Sequence, residues 1–398
     1  AVPLACAMLM AGPGLAQGDR PVTPVPAPVL EASVDGRIDR LDIRIGAAQF
    51  GAPPVLWTDS IAVAGADYIR LLIRVEGDFG PAAILRILPA LGPASDVHLD
   101  HIDPEGLWTD LFPLGRATLL LLAPDRPAEA VLFLDSVAVE AKGGELYSAW
   151  GANDIMPVHD PAVPPAVAGV AQAVAWLSFI DGGASRACTG VLIRSDLLLT
   201  NQHCIASDAA CASMRAIFGY EYDAAGRLNM GPQIGCAGFD PAWSDFALDV
   251  TALRLTGSPG AEYAPISLPD MDPGEDALHG PLFIVQHPGP HPKQVSFIDC
   301  GAAASPVDGR AAASDFTHTC DTAEGSSGAP VFNAAGQLVG LHHFGFPRRV
   351  LRHLAREPRR PCPPDRAVAA GDGAVRSGRT RVRMKLTATA AHRAVVRG

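Results

Sequence analysis

From about Asp35 to Lys142 the chain alternates short apolar runs with turn signals, and no stretch sustains helical periodicity. The clearest runs are Tyr68–Val75, Ala83–Leu88, Ala117–Leu122 and Val131–Val139. Repeated short strands of this kind predict a small β-sandwich over residues 31–145. Residues 146–166 read as a linker, because Met156 to Ala166 carries four prolines. A second strand series follows: Ala175–Ile180, Gly190–Ile193, Leu197–Thr200, Leu248–Leu255 and Leu282–Val285. Pro330–Leu341 reads as a hairpin turning around Ala335-Gly336. Many strands with few helical segments predict an all-β chain, with a pair of β-barrels in this second region.

Composition sharpens that picture. The 40 glycines and 36 prolines among 398 residues favour short elements and tight turns. A net charge of −11 argues against a general nucleic-acid binder. Residues 1–16 are apolar and rich in small side chains, yet too short to span a bilayer. They read as the remnant of an export signal, with Gly14 and Ala16 before the cut; a buried strand is the alternative. A proline-rich linker, 17–30, follows. No stretch is long and apolar enough for a transmembrane helix, so an exported chain, extracellular or periplasmic, is expected. Residues 347–398 differ sharply: 14 Lys and Arg face three acids, a net +11. That tail reads as disordered, with a basic arm for an anionic surface as the competing reading.

Cysteine usage agrees with export. Cys6 lies in the apolar start and Cys362 in the tail, leaving Cys188, Cys204, Cys211, Cys236, Cys300 and Cys320. An even number in one region predicts three disulfides. Zinc is the competing reading, but no close cysteine pair has metal-ligand spacing.

Three segments carry chemistry. Ser327 lies in Gly325-Ser326-Ser327-Gly328, where the glycines permit a tight turn that exposes a hydroxyl and aims backbone N–H groups at a developing oxyanion. The N–H groups of Gly325 and Ser327 are the candidates for that hole. Position 329 is Ala, so the motif is not the G-x-S-x-G elbow. By itself such a turn is more often an ordinary loop. A base is offered by His203, which ends the apolar run Leu197–Thr200 and precedes Cys204. Pairing Cys204 with Cys188 would pin the backbone beside that ring. Asp249 heads the apolar strand Leu248–Leu255, where an acid is costly unless paired; Asp245 is its rival.

The order His, Asp, Ser and the segments TNQHC, DVTALRL and GSSGAPVF resemble trypsin-like serine peptidases. The nearest branch is that of the bacterial secreted glutamyl and lysyl endopeptidases, echoed in Gln286-His287-Pro288, Cys320-Asp321-Thr322 and Gly340-Leu-His-His-Phe-Gly345. The resemblance covers about 165–346, and it implies a double β-barrel, chymotrypsin-like domain over 167–346. It implies a serine endopeptidase acting on polypeptides as a monomer through an acyl-enzyme, with His203 as base, Asp249 as its orienting acid, Ser327 as nucleophile, and no metal or other cofactor. Asp321, six residues before Ser327, suggests Arg or Lys at the cleaved bond. His342 and His343 suggest an acidic residue instead, and a purely structural Asp321 is also open. Ser326 stands where trypsin itself has the acid that pairs with a freed amino terminus, so activity is expected not to need one. Ala329 and the arginine-rich tail are further departures. The tail stands in place of the last strand and helix, and it favours the alternative of an inert binding or adhesion protein on the same fold.

Overall fold

The computed structural model describes residues 33–140, 147–148, 152–239, 244–268, 275–289, 291–345 and 382–384. The apolar start, the first linker and most of the basic tail lie outside these residues. Strands dominate what is described, and the two α-helices there, Pro165–Ala171 and Asp208–Ser213, are short. The fold is all-β.

The amino-terminal unit is two stacked sheets. One contains Ser33–Ile45, Val131–Glu140 and Tyr68–Glu76; the other runs Val55–Ala62, Arg116–Leu122, Ile84–Pro89, Ser95–His98. In Arg116–Leu122 every second residue faces inward, so Ala117, Leu119 and Leu121 meet Ile69, Leu71, Leu132 and Leu134 in one core. The alternation of the apolar runs is therefore core patterning.

The barrel that follows is closed by six strands, in the order Val174–Asp181, Arg215–Phe218, Gln233–Phe239, Thr251–Leu255, Leu197–Thr200, Ala184–Leu192 and back to the first. Its interior is apolar and sealed, with Val174, Leu177, Phe179, Val191, Leu198, Phe218 and Leu253 all buried. A second sheet of eight strands includes Leu282–Gln286, Pro330–Asn333, Leu338–His342 and Asp315–His318. The hairpin expected at Pro330–Leu341 forms, turning at Gly336 with φ +77°. Val382–Met384, inside the basic tail, pairs with both Leu338–His342 and Asp315–His318, so this part of the tail supplies a strand to the second sheet. The tail was expected to contribute none.

The two units are not beads on a string. Ser33–Ile45 pairs with Val131–Glu140 along most of its length, then with Ala184–Leu192 at its beginning, which joins the sandwich sheet to the barrel. At Gly36 the backbones approach so closely that a Cβ would overlap the Val139 carbonyl. Along the seam Tyr68 donates to the Tyr220 hydroxyl at 2.5 Å, and both rings pack on the buried Trp176. Arg70, fully buried, donates to the carbonyls of Thr109 (2.9 Å) and Ser213 (2.6 Å), one from each unit. Burial pulls its guanidinium down to about 9, which still leaves it charged at neutral pH. Gln233 exchanges hydrogen bonds with the Leu111 backbone, both at 2.8 Å, and Arg215 pairs with Asp110 at 2.7 Å.

The proline-rich segment read as a linker is also engaged. Tyr147–Ser148 pairs with Thr322–Ala323, Met156–Pro157 pairs with Gln294–Ser296, and Pro165–Ala171 is helical. Prolines there end pairings and start a helix at its first position, where a missing N–H costs nothing.

This shared seam predicts that both units unfold together. Trp176→Ala is expected to cost roughly 3–5 kcal/mol and to lower one common thermal transition. Separate transitions for the sandwich and the barrels in calorimetry would contradict the seam.

Candidate active site

The loop from Asp321 to Pro330 is held from both sides. Gly325 and Gly328 have φ +85° and +83°, and added Cβ atoms would collide with Gly289 and His287 in one case and with Thr189 and Thr200 in the other. Only glycine fits either position. Thr189, buried in the first barrel, donates its N–H to the Ser327 carbonyl (2.7 Å) and its hydroxyl to the Gly325 carbonyl (2.9 Å). On the second sheet, the Gly328 N–H donates to the His342 carbonyl at 2.8 Å. Ser326 is buried and donates to Gln286 Oε1 at 2.5 Å, so it braces the loop from beneath. Ser327 is half-buried. Among the described residues the N–H groups of Gly325 and Ser327 donate to no acceptor, whereas those of Ser326, Gly328 and Ala329 all do. Two unspent donors on alternate residues of one tight turn are what an oxyanion site requires.

His203 follows the strand Leu197–Thr200 in a turn closed by Cys204 N–H to the Asn201 carbonyl (3.2 Å). The cysteines pair as Cys188–Cys204, Cys211–Cys236 and Cys300–Cys320. The first bond joins the residue next to Thr189 to the residue next to His203, so the imidazole and the serine loop are referenced to one covalent staple. Cys188, His203 and Cys204 bring three potential ligand atoms together. Both sulfurs belong to the disulfide, however, and no thiolate remains to hold a metal.

Asp249 is fully buried in a turn with φ +50°, just ahead of Thr251–Leu255; the strand expected from Leu248 begins later. An aspartate tolerates that left-handed conformation better than most residues. Asn201 Nδ2 donates to its carbonyl at 2.9 Å. Its Oδ2 lies 2.7 Å from His203 Nδ1 and 3.1 Å from His343 Nδ1. Its Oδ1 accepts the His203 backbone N–H at 3.0 Å and faces Arg310 Nη1 at 3.2 Å. Burial would raise this carboxyl, but the hydrogen bonds from His203 and His343 overcome it and hold the group well below the usual range. Asp245, the rival acid, is elsewhere occupied: it accepts the Leu248 N–H at 3.0 Å and shapes the turn.

Ser327 Oγ makes no hydrogen bond to His203 among the described residues, and His203 Nε2 lies 3.8 Å from Cys204 Sγ. Asp249 and His203 are thus joined directly, while the serine loop is tied to the first barrel through its backbone bonds to Thr189.

Asp321 and His343, the residues expected to meet substrate, are both buried. His343 was expected to face substrate, but it is 4% exposed, and both ring nitrogens are engaged, by Asp249 and by Asp315 Oδ2 at 2.9 Å. It belongs with the buried Asp249 carboxylate. His342 is buried against His318, Nδ1 to Nε2 at 3.1 Å. Asp321 is 3% exposed, and its Oδ2 accepts the N–H of Asp154 at 2.9 Å. His287, read as structural, stacks on Tyr220, and burial first and Lys293 second hold it well below the usual imidazole value. The sequence reading missed Thr189, Arg310 and Asp315, none of which sits in a recognisable motif.

Residues 188–341 match the family model of the trypsin-like peptidase domain. The uncharacterized protein y4fB of Sinorhizobium fredii (strain NBRC 101917 / NGR234) is 36% identical over 177 residues, which is 40% of this chain and only 26% of that relative's length. Among solved structures, a Glu endopeptidase in complex with MPD is 20% identical, covering 49% of this chain and 87% of its own (TM-score 0.35). The active form of the Rv3671c protease from M. tuberculosis is 17% identical, covering 61% and 89% (TM-score 0.35). Residues 188–341 thus match a trypsin-like peptidase domain, carried here by the closed six-stranded barrel and the neighbouring sheet.

The Asp249 cluster makes stability depend on pH with a definite sign. Asp249, depressed in the fold, contributes stability that is present above about pH 4 and is lost as pH falls through its folded value. For His343, burial alone would lower the imidazole, but the hydrogen bonds from Asp249 and Asp315 raise it, so its contribution is present below about pH 6.5 and lost as pH rises through the folded value. Urea denaturation at about pH 6 and about pH 9 is expected to show wild type losing more stability on alkalinisation than His343→Gln. Equal losses would contradict the assignment.

Proposed function

We propose that the protein is an exported serine endopeptidase in which Ser327 attacks the substrate carbonyl, His203 moves the proton and Asp249 orients and stabilises the imidazole. The observation that carries this reading is the 2.7 Å contact between Asp249 Oδ2 and His203 Nδ1, beside a serine turn with two unspent N–H donors. The buried carboxylate accepts from Nδ1–H and so leaves Nε2 unprotonated and able to take the Ser327 proton. As Ser327 Oγ bonds to the carbonyl carbon, negative charge builds on the carbonyl oxygen, where the N–H groups of Gly325 and Ser327 receive it. The proton on Nε2 then passes to the leaving amine. Water, deprotonated by the same nitrogen, hydrolyses the acyl-enzyme and restores Ser327. Every proton in the cycle has a named donor and acceptor, and no cofactor enters the steps.

Export is supported by the three disulfides, which persist in an oxidising compartment, and by the apolar start of the chain. For the residue preceding the cleaved bond, the negative charge of Asp321 favours Arg or Lys, although its Oδ2 is held by the Asp154 N–H. The buried His318–His342 contact favours an acidic residue as the second reading. A peptide library separates them: enrichment of Arg and Lys is expected, and enrichment of Glu or Asp would overturn the basic preference.

Activity is proposed to need no cut near Val170. Ser326 carries no carboxylate for a freed amino terminus, and Asp321 in the serine loop is anchored by a backbone amide of the uncut chain. A fluorophosphonate is expected to label wild type at its uncut mass and to leave Ser327→Ala unlabelled. Asp249→Asn should keep the fold and lose about 10³–10⁴-fold in kcat. Absence of labelling in folded wild type would favour an inert binding protein; labelling only after cleavage would overturn the activation-free reading.

A further inference from the structure

Asp249 is not the end of the charge chain. His343 places Nδ1 3.1 Å from Asp249 Oδ2 and Nε2 2.9 Å from Asp315 Oδ2, with its side chain only 3% exposed. Ionised carboxylates only accept, so two of them facing one imidazole require N–H on both ring nitrogens, and hence a cation. Asp315 is 1% exposed and is itself fixed: Ser314 Oγ donates to its Oδ1 at 2.6 Å, and Gly309 leaves its carboxylate space that any Cβ would fill. Arg310 approaches the other oxygen of Asp249 at 3.2 Å with an 11% exposed side chain. Its guanidinium lies over the Phe246 ring at 4.3 Å and donates to the Phe246 carbonyl at 3.1 Å.

We propose that His343, clamped as a cation between Asp249 and Asp315, acts with Arg310 as a positioning pair that fixes the Asp249 carboxylate and balances its charge, so that Asp249 holds His203 in one orientation. This rests on the triad reading and deepens it. The balance is explicit: two carboxylates, Asp249 and Asp315, face two cations, His343 and Arg310, so the cluster is neutral while His203 is neutral. A lone carboxylate buried beside His203 would be costly and free to turn. Two cations on Asp249 offset its charge, and the donors on both its oxygens leave the carboxylate one orientation. The groups facing His343 come from each packed element: Asp249 from the turn before Thr251–Leu255, Asp315 from Asp315–His318, and, through Asp249, His203 from the turn after Leu197–Thr200. Arg310 comes from the turn between Ala302–Val307 and Asp315–His318. The His318–His342 pair lies on the adjoining strand positions and contacts neither carboxylate in the described hydrogen bonds.

The test uses the full chain and a fluorogenic peptide drawn from the library, with active sites counted by fluorophosphonate titration. His343→Gln keeps an amide donor for Asp249 but removes the cation; Arg310→Gln removes the other cation without touching His203. Each is expected to move the acid limb of kcat/KM to higher pH by about 0.5–1 unit. Each should also lower kcat per titrated site by about 3–30-fold with little change in KM. Asp315→Asn is expected to lower kcat in the same way. A role confined to folding would reduce the titrated sites and leave the limb in place. Wild type that labels and turns over, alongside folded variants with an unmoved limb, overturns the proposal while the triad stands. Failure of wild type to label removes the triad reading first, and this proposal with it.

Discussion

The constraint on which the rest depends is a carboxylate in a place without water. Asp249 is fully buried, and an isolated charge there would be untenable. Four donors resolve the conflict: the ring and backbone nitrogens of His203, the ring of His343, and Arg310. They come from three elements, so satisfying one charge ties the turn after Leu197–Thr200 to the end of the strand Leu338–His342 and to the turn ahead of Asp315–His318. The geometry required to bury the acid is also the geometry that aims the base.

The serine loop solves a separate problem, that of holding backbone N–H groups ready without letting them pair internally. The N–H groups of Ser326, Gly328 and Ala329 around the two unspent donors are engaged, and Thr189 donates to two carbonyls on the loop. Because Thr189 adjoins Cys188, and Cys188 is bonded to Cys204, the loop and His203 share one rigid reference. Removing water from such donors costs free energy that the surrounding hydrogen bonds must offset, which is why Gln286, Ser326 and Thr200 are all buried polar residues here.

How far the chain could be read follows from the range of each interaction. The Gly325–Gly328 turn, the histidine beside a cysteine and the acid at a strand head are local features, legible from a few adjacent letters. The role of His343 was not, because its partners lie 94 and 28 positions away and a histidine pair looks the same in a substrate pocket as in a charge cluster. Arg310 and Asp315 carry no signal for the same reason. The sandwich was legible through its inward-facing alternation, whereas Ser33–Ile45 was not among the apolar runs. Polar residues such as Asp35, Arg37, Asp39 and Arg40 interrupt its pattern, and much of it remains exposed. The prolines before Ala166 correctly marked breaks, but not the pairings on either side of them.

The strand Ser33–Ile45, shared by two sheets, bears on how this protein can be shortened. Cutting it away would strip Val131–Glu140 and Ala184–Leu192 of their common neighbour and leave bare N–H and C=O rows on each. Such edges recruit strands from other molecules. A shortened barrel fragment would therefore carry a built-in tendency to self-associate, and the amino-terminal unit doubles as a cover for the edge that would drive it.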